Sequence, residues 1–209
     1  MVKLRDIWQS LFPYGVFHTG KAVYLTFDDG PIPEVTPRVL EVLERYGVKA
    51  TFFMVGENID KHPDVFEQVV RAGHAIGNHT YNHLKGWKCS QETYLANVAK
   101  AQKAMARHMP SGLPAPKAGL FRPPYGKAWF GQRRALAKQG YRIIYWDILT
   151  RDYSPTRTPE AMLAQVQRNV RPGSIINFHD SLKSNERMLA VLPQVIEFIR
   201  AQGYELRAL

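Results

Sequence analysis

From residue 21 onward, short apolar or β-branched runs alternate with longer stretches of helical periodicity, and this alternation constrains the fold more than any other feature. Strands are expected at 22–28, 49–55, 75–78, 119–122, 141–148, 174–179 and 204–209. Between them lie helical patterns such as "TPRVLEVLERYG", "HPDVFEQVVRAG", "SQETYLANVAKAQKAMARH" and "ERMLAVLPQVIEFIRAQG". Thr36-Pro37 and Thr158-Pro159 read as N-cap and first-turn pairs, and Gly47, Gly73, Gly140 and Gly203 stand where helices should stop. Pro193 is expected to kink or divide the last helix. Strands alternating with helices call for a mostly parallel sheet covered by helices. The seven strand candidates fall one short of a closed eight-stranded barrel, so the expected fold is α/β: a distorted or incomplete (β/α) barrel of seven to eight strands with outer helices. In such sheets functional groups collect at the C-terminal ends of the strands.

The 209 residues suffice for one domain with a full core, and no Ser/Gly-rich linker or internal repeat divides them. Residues 1–20 read as an arm, with Trp8, Leu11, Phe12 and Phe17 packing on a domain of residues 21–209. Cys89 is the one cysteine, which excludes an intrachain disulfide. The formal net charge of +10 suits an acidic partner, but Lys and Arg are scattered rather than gathered into a tract, so nucleic acid is not expected. No segment approaches the ~20 consecutive apolar residues that a membrane span needs. A monomer is expected.

The polar residues fall where the strand-end rule predicts function. The stretch "YLTFDDGP" ends a strand on two adjacent carboxylates, Asp28 and Asp29, before a Gly30-Pro31 turn. His79 ends the third strand, Arg122 the fourth and the His179-Asp180 pair the sixth, while Asp147 and Asp152 follow the fifth. His79 and His83 are four apart, a spacing that places both imidazoles on one face if the chain turns helical there. Two histidines and a carboxylate form a facial ligand set for a divalent metal, and Asp29 completes it. A metal so held would polarise a carbonyl and acidify water, leaving Asp28 as the base and His179 as the acid of a hydrolysis.

These residues resemble the polysaccharide deacetylases of carbohydrate esterase family 4, the NodB homology domain, over roughly residues 21–209. "TFDDGP" (26–31), "HTYNH" (79–83), "RPPY" (122–125), "WDILTRDY" (146–153) and "NFHD" (177–180) look like the five family motifs in order. The resemblance implies a NodB-like barrel, with Asp28 as catalytic base and Asp29, His79 and His83 as metal ligands. It implies that Arg122 holds the base and that the Tyr125 backbone N–H faces the oxyanion. It also implies His179 as catalytic acid, oriented by Asp152. Tyr153 stands where the family often has Trp, Leu149 replaces a frequent Asp, and Asn177 occupies a position that lines the acetyl-methyl pocket, with Trp146 in partial compensation for the aromatic wall. Tyr125, Trp129 and Tyr153 offer faces for sugar rings.

The function implied is metal-dependent removal of N-acetyl groups from N-acetylglucosamine-containing glycan, peptidoglycan before chitin-like oligomers. The metal is expected to be zinc before cobalt, nickel, manganese or iron. The alternatives are an O-acetyl esterase acting on polysaccharide such as xylan and a catalytically silent glycan-binding module. No signal-peptide core stands out in "MVKLRDIWQSLFPYGVFHTG", which favours the cytoplasm over export.

Overall fold

The computed structural model describes residues 20–114 and 119–209. The arm expected at residues 1–20, with Trp8, Leu11, Phe12 and Phe17, therefore falls almost wholly outside the described residues. Eight strands are present among the described residues: β1 (Ala22–Asp28), β2 (Thr51–Met54), β3 (Ala75–Asn78), β4 (Leu120–Phe121), β5 (Arg142–Ile143), β6 (Ile148–Leu149), β7 (Ile175–His179) and β8 (Glu205–Arg207). Between them run α1 (Thr36–Arg45), α2 (Gly56–Lys61), α3 (Pro63–Arg71), α4 (Gln91–Arg107), α5 (Phe130–Lys138), α6 (Pro159–Asn169) and α7 (Asn185–Ala201).

The strands pair in the order β5-β4-β3-β2-β1-β7-β6, with β8 also paired to β1, and every pair is parallel. The two ends of that path, β5 and β6, are neighbours in sequence, joined by residues 144–147 alone. Laid flat, six strand spacings would separate them by ~29 Å, whereas the five chain steps from Ile143 to Ile148 reach at most ~18 Å. The sheet must therefore curl toward closure, which makes it a distorted, open (β/α) barrel. One expected strand, 141–148, is in fact two, because the chain breaks there to cross the barrel's seam.

Alternation along the strands sorts side chains into two compartments. Val23, Leu25 and Phe27 of β1, Phe52 and Met54 of β2, and Ile176 and Phe178 of β7 face outward into the main core with Val39, Leu43, Phe66, Val191 and Ile196 from the helices. Ala22, Tyr24, Phe53, Leu120, Ile144 and Ile175 face inward and form a small apolar plug. Above that plug the inward positions turn polar: Thr26 and Asp28 on β1, Asn177 and His179 on β7. The C-terminal mouth of the barrel is thus where inward side chains meet solvent.

The helix ends largely follow their signals. Ser90 caps α4 and Thr158 caps α6 through hydrogen bonds to Thr93 N–H and Ala161 N–H. The chain leaves α1 and α3 through Gly47 and Gly73, both with left-handed φ. Thr36 departs from expectation: it opens the helix itself and its hydroxyl is engaged elsewhere. Pro193 neither ends nor divides α7, since one lost backbone bond is outweighed by a continuous buried face of Met188, Val191, Leu192, Val195, Ile196 and Ile199.

Candidate active site

At the end of β1, Asp28 points inward and is buried. Its Oδ1 accepts a 2.7 Å hydrogen bond from Arg122 Nη1, and its Oδ2 accepts a 3.0 Å bond from Asn177 Nδ2. Arg122, just beyond β4, is fully buried, and its guanidinium lies 4.0 Å from the centre of the Phe53 ring. Nη1 also reaches Thr26 Oγ1 at 2.8 Å and Asn177 Oδ1 at 2.6 Å, while Nε and Nη2 donate to Ile144 O and Tyr145 O. Burial alone would push the Asp28 carboxyl up, but Arg122, with His79 and His179, outweighs it and holds the group below the usual carboxylate range. Asp28 is therefore ionised and fixed from two sides.

Asp29 turns the other way, with a φ of 86°. Its Oδ1 is buried without a hydrogen-bond partner, lying 3.3 Å from His83 Nε2 and 3.7 Å from His79 Nε2. His79 Nδ1 sits 2.7 Å from Arg122 O, which can only accept, so Nδ1–H is held there and Nε2 is the ring atom that faces Asp29. Burial, reinforced by His79, pushes His83 down to about 4 and keeps it neutral. Two ligand atoms at ~2.1 Å from one ion, 90° to 109° apart, would lie ~3.0–3.4 Å from each other. One of the two carboxylate contacts has that spacing and the other exceeds it by a few tenths of an ångström, so the orphaned oxygen and two imidazole nitrogens, all within 4.8 Å of one another, form a set that a divalent cation would draw together.

The loop that brings the two histidines together is not helical. Residues 79–85 contain no helix, and Thr80 and His83 both adopt left-handed φ, 66° and 55°. Thr80 N–H is held by Asn78 Oδ1, Leu84 N–H by Thr80 Oγ1 and Tyr81 N–H by Asn97 Oδ1. Local polar bonds supply the convergence that a helical turn was expected to give.

Across the mouth, His179 ends β7. Asp152 Oδ1 lies 2.8 Å from its Nδ1, and Asp152 Oδ2 accepts its backbone N–H at 2.7 Å. Burial would lower the imidazole, but the hydrogen bond and charge of Asp152, helped by Asp29 and Asp28, raise it to about 9. The ring is a cation at neutral pH, with Nε2–H directed away from Asp152.

The remaining expected residues distribute unevenly. Tyr125, at φ 59°, is 50% exposed and stands 4.6 Å from the His83 ring, forming one wall. Tyr153, 42% exposed and perpendicular to His179 at 5.0 Å, forms the opposite wall. Trp129 is 60% exposed at the start of α5. Trp146 lies deeper, 5.6 Å from the Arg122 guanidinium and against Gly126. Asn177 does not line an acetyl pocket: two residues below His179 on the inward face, it is fully buried and its amide is committed to Asp28, Arg122 and Thr26. Asp147 is also remote from the chemistry. Preceding β6 rather than ending a long strand, it lies toward the N-terminal rim and binds Ile175 N–H and Arg171.

Two contributors lay within the motifs but were given no role by the sequence. Thr26 lies on the same inward face as Asp28, a period-2 relation, yet any strand threonine looks alike. Asp180 is buried beside the mouth, where burial pushes its carboxyl up to about 8 against the pull of bonds from Thr36 and Gly30.

Comparison with known proteins places this geometry in a family. Residues 16–144 match the polysaccharide deacetylase family. The chain is 34% identical over 200 residues to a chitooligosaccharide deacetylase of Azorhizobium caulinodans, covering 90% of this chain and 92% of that protein. It is 32% identical over 186 residues to a peptidoglycan-N-acetylglucosamine deacetylase of Bacillus cereus, covering 88% and 84%. A crystal structure of the Bc1960 peptidoglycan N-acetylglucosamine deacetylase superimposes with a TM-score of 0.84 at 33% identity, over 90% of this chain and 86% of that one. A curled parallel sheet, five ordered motifs at its mouth and relatives spanning nearly the whole chain lead to one conclusion: the chain belongs to the polysaccharide deacetylase family.

Proposed function

We propose that the protein hydrolyses the acetamide of N-acetylglucosamine residues in a glycan, leaving a free amine and releasing acetate. One observation carries this reading: an ionised carboxylate, a cationic imidazole and a His-His-Asp triad converge on one open mouth. A divalent cation held by Asp29, His79 and His83, zinc first, would polarise the acetamide carbonyl and acidify the attacking water. Asp28 takes the water's proton at Oδ2, the oxygen that accepts only a neutral amide hydrogen, while Arg122 holds Oδ1. His179 delivers a proton from Nε2 to the departing nitrogen, and Asp152 keeps Nδ1 protonated and the ring aimed. Tyr125 beside His83 and Tyr153 beside His179 would flank the acetamide, and the resemblance to the family gives the Tyr125 backbone N–H the role of donor to the developing oxyanion.

The test is acetate release from N-acetylglucosamine oligomers, from peptidoglycan and from acetylated xylan, using protein stripped with chelator and resupplied with zinc or cobalt. Release from the first two that depends on metal is the expected result. Release from xylan alone would replace the proposal with an O-acetyl esterase, and no release from metal-loaded protein would leave a glycan-binding module.

The rim beside Tyr125 favours an anionic glycan, and hence peptidoglycan with its peptide carboxylates. Lys85 Nζ lies 5.2 Å from the Tyr125 ring centre, Trp87 packs edge-on to that ring at 5.4 Å, and Lys127 Nζ lies 5.6 Å from Trp87. Each exposed ion pair contributes ~0.2–1 kcal/mol, so Lys85→Ala with Lys127→Ala should cut kcat/KM on peptidoglycan by roughly twofold to thirtyfold. Neutral chito-oligomers should be nearly unaffected, and the deficit should shrink in high salt. Equal losses on both substrates would remove the charge argument.

A further inference from the structure

Asp180 makes no contact with a reacting atom in the scheme above, yet it is buried at the mouth with its backbone N–H and both carboxyl oxygens engaged. Its backbone N–H donates to Asp28 O at 3.0 Å. Its Oδ1 accepts from Gly30 N–H at 3.0 Å, and its Oδ2 accepts from the Thr36 hydroxyl at 2.6 Å. Thr36 Oγ1 in turn accepts Ile32 N–H at 2.8 Å, so its hydroxyl bridges that backbone and Asp180.

The first two bonds have a specific geometric meaning. Asp28 O belongs to the peptide group before Asp29, and Gly30 N–H belongs to the one after it. A single residue just past the end of the neighbouring strand therefore grips both peptide planes whose rotation defines the Asp29 backbone. That backbone is held at φ 86°, a region that non-glycine residues avoid and occupy only where their surroundings enforce it. The fit is close enough to determine the next residue: a Cβ on Gly30 would stand 2.0 Å from Asp180 Oδ2. Asn58 Nδ2 adds a 2.8 Å bond to Asp29 O, a second restraint on the following peptide.

We infer that Asp180, braced by Thr36, is a positioning residue that aims the Asp29 carboxylate at His79 and His83 and so tunes the affinity of the triad for a divalent cation. This rests on the reading of that triad as a metal site. It also couples the two halves of the site, because Asp180 follows the acid His179 directly while holding the strand end that carries the base and the ligand.

The experiment is a cobalt(II) titration of chelator-stripped protein, followed by competition with a chromophoric chelator, for wild type, Asp180→Ala, Thr36→Val and Thr36→Ser. Loss of such an orienting partner lowers metal affinity by ~10- to 100-fold, the range expected for Asp180→Ala. Asn58 remains to prevent a complete loss. Thr36→Val should fall between that variant and wild type, and Thr36→Ser, which keeps the hydroxyl, should match wild type. If Asp180→Ala does not fold, the Thr36 pair decides the matter alone. Lowered thermal stability with unchanged cobalt affinity in these variants would make Asp180 merely structural and overturn the inference. A wild type that binds no cobalt would instead overturn the triad, and the inference with it.

Discussion

Asp28→Asn is expected to lower acetate release by ~10²- to 10⁴-fold, the share of a rate that a positioned general base supplies. The substitution keeps shape but not chemistry. Asn retains an oxygen for Arg122, yet its amide nitrogen would meet Asn177 Nδ2 donor to donor, and Asn177 cannot simply flip because its Oδ1 already accepts from Arg122 and Thr26. Arg122 defines the larger stability effect. Removing one member of a buried ion pair costs ~3–5 kcal/mol because the other charge is stranded. Arg122→Leu should fall in that range by denaturant unfolding, since Asp28 would be left in an apolar well with its neutral partners alone. The double variant Asp28→Asn with Arg122→Leu should recover part of the loss, because no charge is then stranded. Strictly additive losses would show that the pair is not coupled and that Arg122 acts through its packing on Phe53.

How much of this was legible in the chain depends on what each residue type reveals by itself. The βα alternation announces the architecture, because strand and helix periods differ and turn residues mark their limits. Asp28, Asp29, His79, Arg122, Asp152 and His179 are visible because charged residues at strand ends are costly without a purpose. The segment 141–148 misleads because its apolar run is uninterrupted, and only the barrel's need to close its seam reveals two short strands there. The short helix α2, "GENIDK", has too few residues to display a period. His79 and His83 do meet, but through left-handed residues and local polar bonds rather than a helix face, and such backbone states leave no mark in side-chain spacing. The roles of Asn177 and Asp180 needed coordinates: one was expected at an acetyl pocket and the other was noted only as the neighbour of His179, and their actual bonds appear only once partners some 150 residues away in sequence are in place.

Asp152→Asn should move the alkaline limb of the pH–rate profile to lower pH while leaving the metal triad intact. His179 stands at about 9 because Asp152, Asp29 and Asp28 together overcome burial, which acts to lower it. The proposed proton donor is therefore present at neutral pH, and the rate should fall as pH rises through the folded value. A cation held by the triad would offset Asp29's share, leaving Asp152 as the main support. Without that carboxylate charge, burial prevails and the imidazole drops below its ordinary value near 6.5, so at pH 8 activity should fall roughly thirtyfold or more, with a much smaller deficit at pH 6. The same shift has a thermodynamic sign. A histidine raised on folding adds stability that is complete below ~6.5 and is lost as pH climbs through the folded value, on the order of 3 kcal/mol for a shift of this size. In metal-free protein, wild type minus Asp152→Asn should show that difference shrinking between pH 6.5 and 9. If the alkaline limb stays in place in the variant, His179 is not the proton donor held by Asp152, and the acid must be sought elsewhere at the mouth.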